Sequence, residues 1–84
     1  MKTGFQTMPT QTLDQKTIAL LVSTGGLREV RAVREGPAWA LQCRIGQDWL
    51  AVRSARQELR LWSSLDTLER FCVAAGIKQM LVEF

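Results

Sequence analysis

Histidine is absent from this 84-residue chain, and cysteine occurs only twice, at Cys43 and Cys72. The absence of histidine excludes an imidazole general base and a zinc site with histidine ligands. The two cysteines lie far apart and lack the CxxC spacing of a metal or redox site. We therefore expect buried, reduced thiols that act as small apolar residues, with a structural disulfide as the alternative, and no metal site.

A phosphate-binding loop and a nucleophile motif are also missing. The glycine pair Gly25-Gly26 fits neither the GxxxxGK[ST] nor the GxGxxG spacing. The serines lack an elbow motif and have no histidine partner. The acidic residues fall at predicted turns, helix caps or solvent-facing strand positions. We therefore predict a binding protein rather than an enzyme, with no catalytic residues and no cofactor.

Long apolar runs are lacking as well. No run exceeds five residues, the stretch Ile18–Val22 being an example, whereas about 20 residues are needed to cross a bilayer. No apolar run of signal-peptide length lies near Met1. We expect a cytoplasmic protein without a membrane partner.

What the chain does contain is typical of a small globular domain. Hydrophobic residues make up 46% and charged residues 23% of it, and the formal net charge is +3. This mild positive excess is compatible with a polyanionic partner without requiring one. We expect residues 1–11 to be a flexible lead-in and residues 12–84 to form a single domain.

A first helix is predicted over residues 13–23. Thr12 and Gln15 have the spacing of a capping box, and Gly25-Gly26 supplies a stop. A strand over 17–22 is the competing interpretation, because β-branched residues occur there. The side of this helix predicted to face inward carries Leu13, Thr17, Leu20, Leu21 and Thr24.

A second helix is predicted after Ser63 or Ser64, either of which is a suitable N-cap, and it should end at Gly76. Its apolar stripe is expected to pack on the sheet. The stripe consists of Leu65, Leu68, Cys72 and Ala75, with Phe71 beside it.

Four strands are predicted between the helices, at residues 28–34, 38–45, 49–53 and 59–62, and a fifth over 77–84. Short turns between successive strands imply antiparallel neighbours. The prediction is an α+β domain with a largely antiparallel sheet, in the order helix, four strands, helix, strand. The apolar last strand, if it lies at the sheet edge, favours a homodimer.

Arginine is concentrated in the strand region, where seven of these residues lie between positions 28 and 60. Strand alternation places a group of arginines and tryptophans on the face away from the helices. The candidate binding residues on this basic face are Arg31, Arg44, Arg53, Arg60, Trp49 and Trp62. Guanidinium groups bind phosphates and indoles stack on bases, but both residue types are also enriched in protein interfaces. A solvated face, a protein-binding surface and a nucleic-acid surface all remain open, although the glycine-aromatic signature of RRM domains is missing.

The order of residues over positions 20–84 resembles the small ParC-type partition-associated proteins of bacterial plasmids and integrative elements, which are unrelated to the topoisomerase subunit of that name. The residues that carry the resemblance are Leu27-Arg28-Glu29-Val30, Trp39-x-Leu41, Arg44-x-Gly46, Leu50, Arg53-x-x-Arg56, Arg60-x-Trp62, Ser64-Leu65-Asp66 and Gly76-Ile77.

The resemblance implies an accessory protein for the maintenance or transfer of a mobile element, acting on a protein partner or on DNA. It supplies no catalytic residues. The chain has no Walker motif and no recognisable helix-turn-helix, which speaks against a partition ATPase and a stand-alone centromere-binding protein. The alternative function is a small inhibitor, encoded by a mobile element, that binds and blocks a host or competitor protein.

Overall fold

The computed structural model describes residues 12–57 and 59–84. Its elements are β1 (Thr12–Leu13), α1 (Gln15–Thr24), β2 (Glu29–Glu35), β3 (Ala38–Ile45), β4 (Asp48–Val52), β5 (Leu61–Trp62), α2 (Leu65–Ala75) and β6 (Leu81–Glu83). The predicted α+β class is confirmed, with β1 as an additional short strand. The predicted lead-in over residues 1–11 lies outside the described residues.

Strands β2, β3 and β4 form the antiparallel centre of the sheet, as predicted. β2 pairs with β3 from Glu29↔Arg44 to Glu35↔Ala38, and β3 pairs with β4 up to Ile45↔Asp48. Each connection has two residues and contains a glycine with positive φ, Gly36 or Gly46. Such glycines suit tight hairpin turns, and the turn length fixes the register of the strands on either side.

The strand at each edge of the sheet pairs in parallel with its neighbour, so the sheet is mixed. β1 pairs with β4, β6 pairs with β2, and the order is β1-β4-β3-β2-β6, with β5 antiparallel to the start of β3. β6 follows α2, and a helical connection is the usual way to reach a parallel neighbour. β6 is shorter than the strand predicted over 77–84, and the residues on either side of it reach the core side of the sheet, where Phe84 contacts Trp39 edge-on and Met80 contacts Cys72.

Helix α1 confirms the helical interpretation but begins later than predicted. Thr12 and Leu13 are paired with β4, so neither belongs to the helix. Asp14 is the N-cap, and its Oδ1 accepts a hydrogen bond from the Thr17 backbone N–H at 2.8 Å. The predicted Thr12–Gln15 capping box is therefore wrong, whereas the predicted end at Gly25, with φ of 77°, is confirmed.

The inward side of α1 also differs from the prediction. Ile18 is fully buried, and Leu21 and Val22 are partly buried against the core, whereas Leu20 is 63% exposed. Ile18, Leu21 and Val22 occupy positions i, i+3 and i+4, which form one continuous side of a helix, and this side faces the core. Thr17 and Thr24, predicted to face inward, are exposed.

Helix α2 agrees with the prediction at both ends and along its inward side. The Ser64 side chain accepts a hydrogen bond from the Thr67 N–H at 3.2 Å, and Gly76 ends the helix in the left-handed conformation. Leu68, Phe71 and Cys72 are buried.

Both helices pack on the same face of the sheet, which we call the covered face. The core there joins Ile18 and Leu68 from the helices to Leu41 and Val52 from the strands. Cys43 and Cys72 are free, buried thiols in this core, as predicted. Burial raises the pKa of the Cys43 thiol to about 12 and that of the Cys72 thiol to about 11, so both stay protonated at neutral pH. In the part of the chain that the structure describes, no helix is long and apolar enough to cross a membrane.

Candidate interaction surface

Strand pairing determines which side chains lie on the face opposite the helices, which we call the open face. Directly paired residues on neighbouring strands point to the same side of a sheet, so the register groups these side chains into rows. The rows are Glu29, Arg44 and Trp49; Leu81, Arg31, Gln42, Ala51 and Thr12; Glu83, Val33, Ala40 and Leu61; and Glu35 with Ala38.

Arg31 and Trp49 lie at the centre of the open face. The guanidinium carbon of Arg31, on β2, is 3.9 Å from the centroid of the Trp49 ring on β4, so the pair spans β3. Arg31 Nε donates to Gln42 Oε1 at 2.7 Å, and Arg31 Nη1 lies 3.8 Å from Glu83 Oε2. An arginine that contacts a ring, an amide and a carboxylate together has little rotamer freedom left to lose on binding.

Arg44 forms a further polar contact on the open face. Its Nη1 donates to Glu29 Oε1 at 2.9 Å, across the β2–β3 pair. Among the described residues, Arg44 Nε is buried without a hydrogen-bond partner. Both side chains of the pair are more than two-fifths exposed, so the ion pair orients Arg44 more than it stabilises the fold.

The open face is not basic, contrary to the sequence prediction. Within the part of the chain that the structure describes, the strand pairing places two arginines on it, Arg31 and Arg44, and three glutamates, Glu29, Glu35 and Glu83. The glutamates come from β2 and β6, which lie beside the arginines. The formal charge of this surface is therefore slightly negative.

Apolar side chains flank the central pair on both sides. Leu61 on β5 is 47% exposed, and Leu81 on β6 is 56% exposed. Between them, the small side chains of Ala40 and Ala51 are almost fully buried. The open face thus combines an arginine–tryptophan centre with exposed leucines at its margins.

Trp62 and Arg60 do not lie on the open face, so their predicted placement is wrong. Trp62 pairs with Trp39 on the covered face, and both are 5% exposed. The Trp62 ring lies 5.2 Å from that of Phe71, and the Arg60 guanidinium is 4.6 Å from the Trp62 ring. Residues 59 and 60 belong to no strand, so β5 does not continue the predicted alternation, and Leu61 points outward beside Ala40. Burying an indole removes more apolar area from water than burying a leucine, which favours this arrangement.

Arg53 lies at the end of β4, beside the start of α1. Its backbone N–H donates to the Leu13 carbonyl at 2.9 Å, and its Nη2 is 3.5 Å from Asp14 Oδ2. It lies four positions after Trp49 along the strand direction, roughly 13 Å at ~3.3 Å per residue. The structure therefore brings Arg31, Arg44 and Trp49 together, and it places Arg53 elsewhere.

Several open-face residues were missed by the sequence interpretation. The Glu29–Arg44 pair could have been found, because a two-residue turn at Gly36-Pro37 fixes the β2–β3 register. The contact of Glu83 with Arg31 had no comparable signal, because their strands are distant in the chain and pair in parallel. Leu61 was missed because the side chains of β5 point to the opposite sides from those predicted.

Comparisons with known proteins give no functional assignment, so the functional interpretation rests on this surface. No family model matches the chain, and neither a curated protein nor a solved structure matches it.

Proposed function

We propose that this chain is a non-enzymatic binding module that docks a protein partner on its open face. The observation that carries the proposal is the stacked pair of Arg31 and Trp49, 3.9 Å apart, at the centre of a sheet face to which neither helix is packed. Arginine and tryptophan are the residues most enriched among those that dominate protein–protein binding energy.

The margins of the open face support a protein partner. Leu61 and Leu81 are exposed on either side of the central pair and add apolar area that a docked surface would cover. Arg31 is already positioned by Gln42 and Glu83, which reduces the entropy lost on association.

The charge of the open face disfavours a nucleic acid there. Three carboxylates accompany two guanidinium groups, and a phosphate backbone would meet Glu29 and Glu83 as soon as it approached the arginines. One side of the Trp49 ring is covered by the Arg31 guanidinium and is not free to stack on a base.

The resemblance of residues 20–84 to ParC-type proteins supports our proposal that this binding role serves the maintenance of a bacterial mobile element, in the cytoplasm. The alternative, an inhibitor that blocks a host or competitor protein, uses the same kind of contact. The open face serves either role, and the identity of the captured protein distinguishes them. A homodimer through the sheet remains a further proposal.

The proposal is tested by photo-crosslinking in a bacterial host with a photoreactive phenylalanine at one surface position at a time. Positions 61 and 81 report on the open face, whereas positions 20 and 73 replace exposed apolar residues on the helices. We expect the same protein adduct from positions 61 and 81 only. An adduct that forms equally well from positions 20 and 73 would contradict the proposal.

Affinity for the captured protein then tests the central pair. Trp49→Ala should weaken binding by about 30-fold or more, the factor that corresponds to ~2 kcal/mol for a dominant interface residue. Arg70→Ala, an exposed arginine on α2, is the matched control and should leave the affinity unchanged. Unaltered binding by Trp49→Ala would rule out this pair as the centre of the interface.

A further inference from the structure

A separate group of cations lies at the corner where the chain enters α1. An open groove of about 740 Å³ runs between the first turn of α1 and the segment that joins β4 to β5. Its charged lining residues are Asp14, Lys16, Arg53 and Arg60, and its other lining residues are Gln15, Ala19, Ser54 and Ala55. Two of these cations, Arg53 and Arg60, are predicted binding residues that the open face does not contain.

Among the lining residues that the structure describes, three are cationic and one, Asp14, is acidic, so the net charge of these residues is positive. The Asp14 carboxylate accepts the Thr17 backbone N–H at the helix start and lies 3.5 Å from Arg53. The hydrogen bond from Thr17 lowers the pKa of the Asp14 carboxyl below its ordinary value, so this group is charged at neutral pH. Three cations face this single carboxylate.

Arg60 is held in place by aromatic rings. Its guanidinium carbon is 4.6 Å from the Trp62 ring and 4.9 Å from the Phe71 ring, both of which are buried in the core. Stacking on a ring leaves the edge of a guanidinium group available to donate hydrogen bonds. Arg60 is therefore a positioned donor at the wall of the groove.

The lining favours a phosphate backbone over a protein surface. The apolar residues that line the groove are alanines, and they offer no large anchor of the kind that dominates protein interfaces. Contacts to phosphates need only positioned cations. A single strand is also disfavoured, because the rings beneath Arg60 are buried and present no face to a base.

We propose that the groove formed by Lys16, Arg53 and Arg60 binds the phosphate backbone of duplex DNA without reading its sequence. Because this groove and the open face share no residues, the chain joins a protein partner to DNA. DNA binding by this groove goes beyond the protein-binding function proposed above and does not depend on it, whereas the joining of a protein to DNA rests on both.

The test is a fluorescence-anisotropy titration of the full chain with a labelled random-sequence DNA duplex. Three phosphate contacts predict a slope of log K against log salt of about −2.7, or about 40-fold weaker binding at 200 mM than at 50 mM salt. Arg53→Gln with Arg60→Gln should leave a slope of about −0.9. The control, Arg28→Gln with Arg70→Gln, removes the same charge from exposed positions outside the groove and should keep the original slope.

A second pair of substitutions, a control on the open face and other polyanions complete the test. If Arg60→Gln disturbs the fold, Lys16→Gln with Arg53→Gln replaces two exposed side chains and should reduce the slope equally. Trp49→Ala should leave DNA binding unchanged, which separates this groove from the open face. The proposal is overturned by an absence of salt-dependent duplex binding, by an equal loss in the control, or by tighter binding to a single strand or to polyglutamate than to duplex.

Discussion

The two faces of the sheet are formed by the same strands but are held together differently. On the covered face, Leu41, Cys43 and Val52 are completely buried beneath the helices. On the open face, the polar contacts join partly exposed side chains, as in the Glu29–Arg44 pair, and Leu61 and Leu81 stay accessible. Apolar burial is the dominant source of folding free energy, whereas exposed ion pairs contribute little. Stability should therefore depend on the covered face and binding on the open one.

The largest expected effect on the free energy of unfolding is that of replacing Trp62, which the sequence analysis had placed on the same face as Trp49. Trp62→Ala removes a 5% exposed indole from the covered face and should cost about 3–5 kcal/mol of the free energy of unfolding. Small domains typically have a total stability of about 5 kcal/mol, so a loss of this size should abolish the cooperative transition in a urea or thermal melt.

The control for this change is Trp49→Ala on the open face. Trp49 is only partly buried, so its loss should cost less, about 1–2 kcal/mol, and the protein should stay folded. Trp62→Phe keeps a ring at the same position and should give a measurable, intermediate loss. Equal destabilisation by Trp49→Ala and Trp62→Ala would remove the distinction between the two faces.

A second comparison uses two leucines. Leu68→Ala creates a cavity at a fully buried position of α2 and should cost about 2–4 kcal/mol. Leu61→Ala, at a 47% exposed position, should change the free energy of unfolding by about 0.5 kcal/mol or less. Denaturant titrations of both variants measure the difference, and a Leu68→Ala variant with the parent's midpoint would disprove the packing of α2 on the sheet.

The smallest effect is expected for the Glu29–Arg44 ion pair. A double-mutant cycle with Glu29→Gln and Arg44→Gln should give a coupling of roughly 0.2–1 kcal/mol, because both side chains are substantially exposed. Screening should reduce this coupling as salt is raised. A coupling well above this range that persists in high salt would mean that the open face is also a source of stability.

The elements that could be predicted from the sequence are those set by local chemistry. Gly36 and Gly46 occupy positive-φ positions in two-residue turns, and they determine the register of β2, β3 and β4. Ser64 and Gly76 mark the ends of α2, where a hydroxyl cap and a left-handed residue are required. In each case the residues that determine the structure are neighbours in the chain.

The features that could not be predicted depend on contacts between residues that are distant in the chain. The pairing of β1 with β4 withdraws Thr12 and Leu13 from the predicted helix, and no local feature of these residues indicates it. In the candidate site, Arg31, Arg44 and Trp49 came together because their strands form local hairpins. Arg60 and Trp62 were misplaced because residues 59 and 60 are not part of a strand, which interrupts the alternation from which their side was inferred.

The parallel pairing of β6 with β2 has a consequence for the order in which the sheet forms. Arg31 pairs with Leu81, so this contact closes a much longer loop than the two-residue turns of the central hairpins. The hairpins should form early, whereas β6, with three exposed residues, should join late and open first in native-state hydrogen exchange. Opening of β6 removes Leu81 and Glu83 from the open face. A partner that contacts Leu81 binds only the closed state of β6 and therefore lowers the population of the open state. Amide exchange in β6 should then be slower in the presence of the partner.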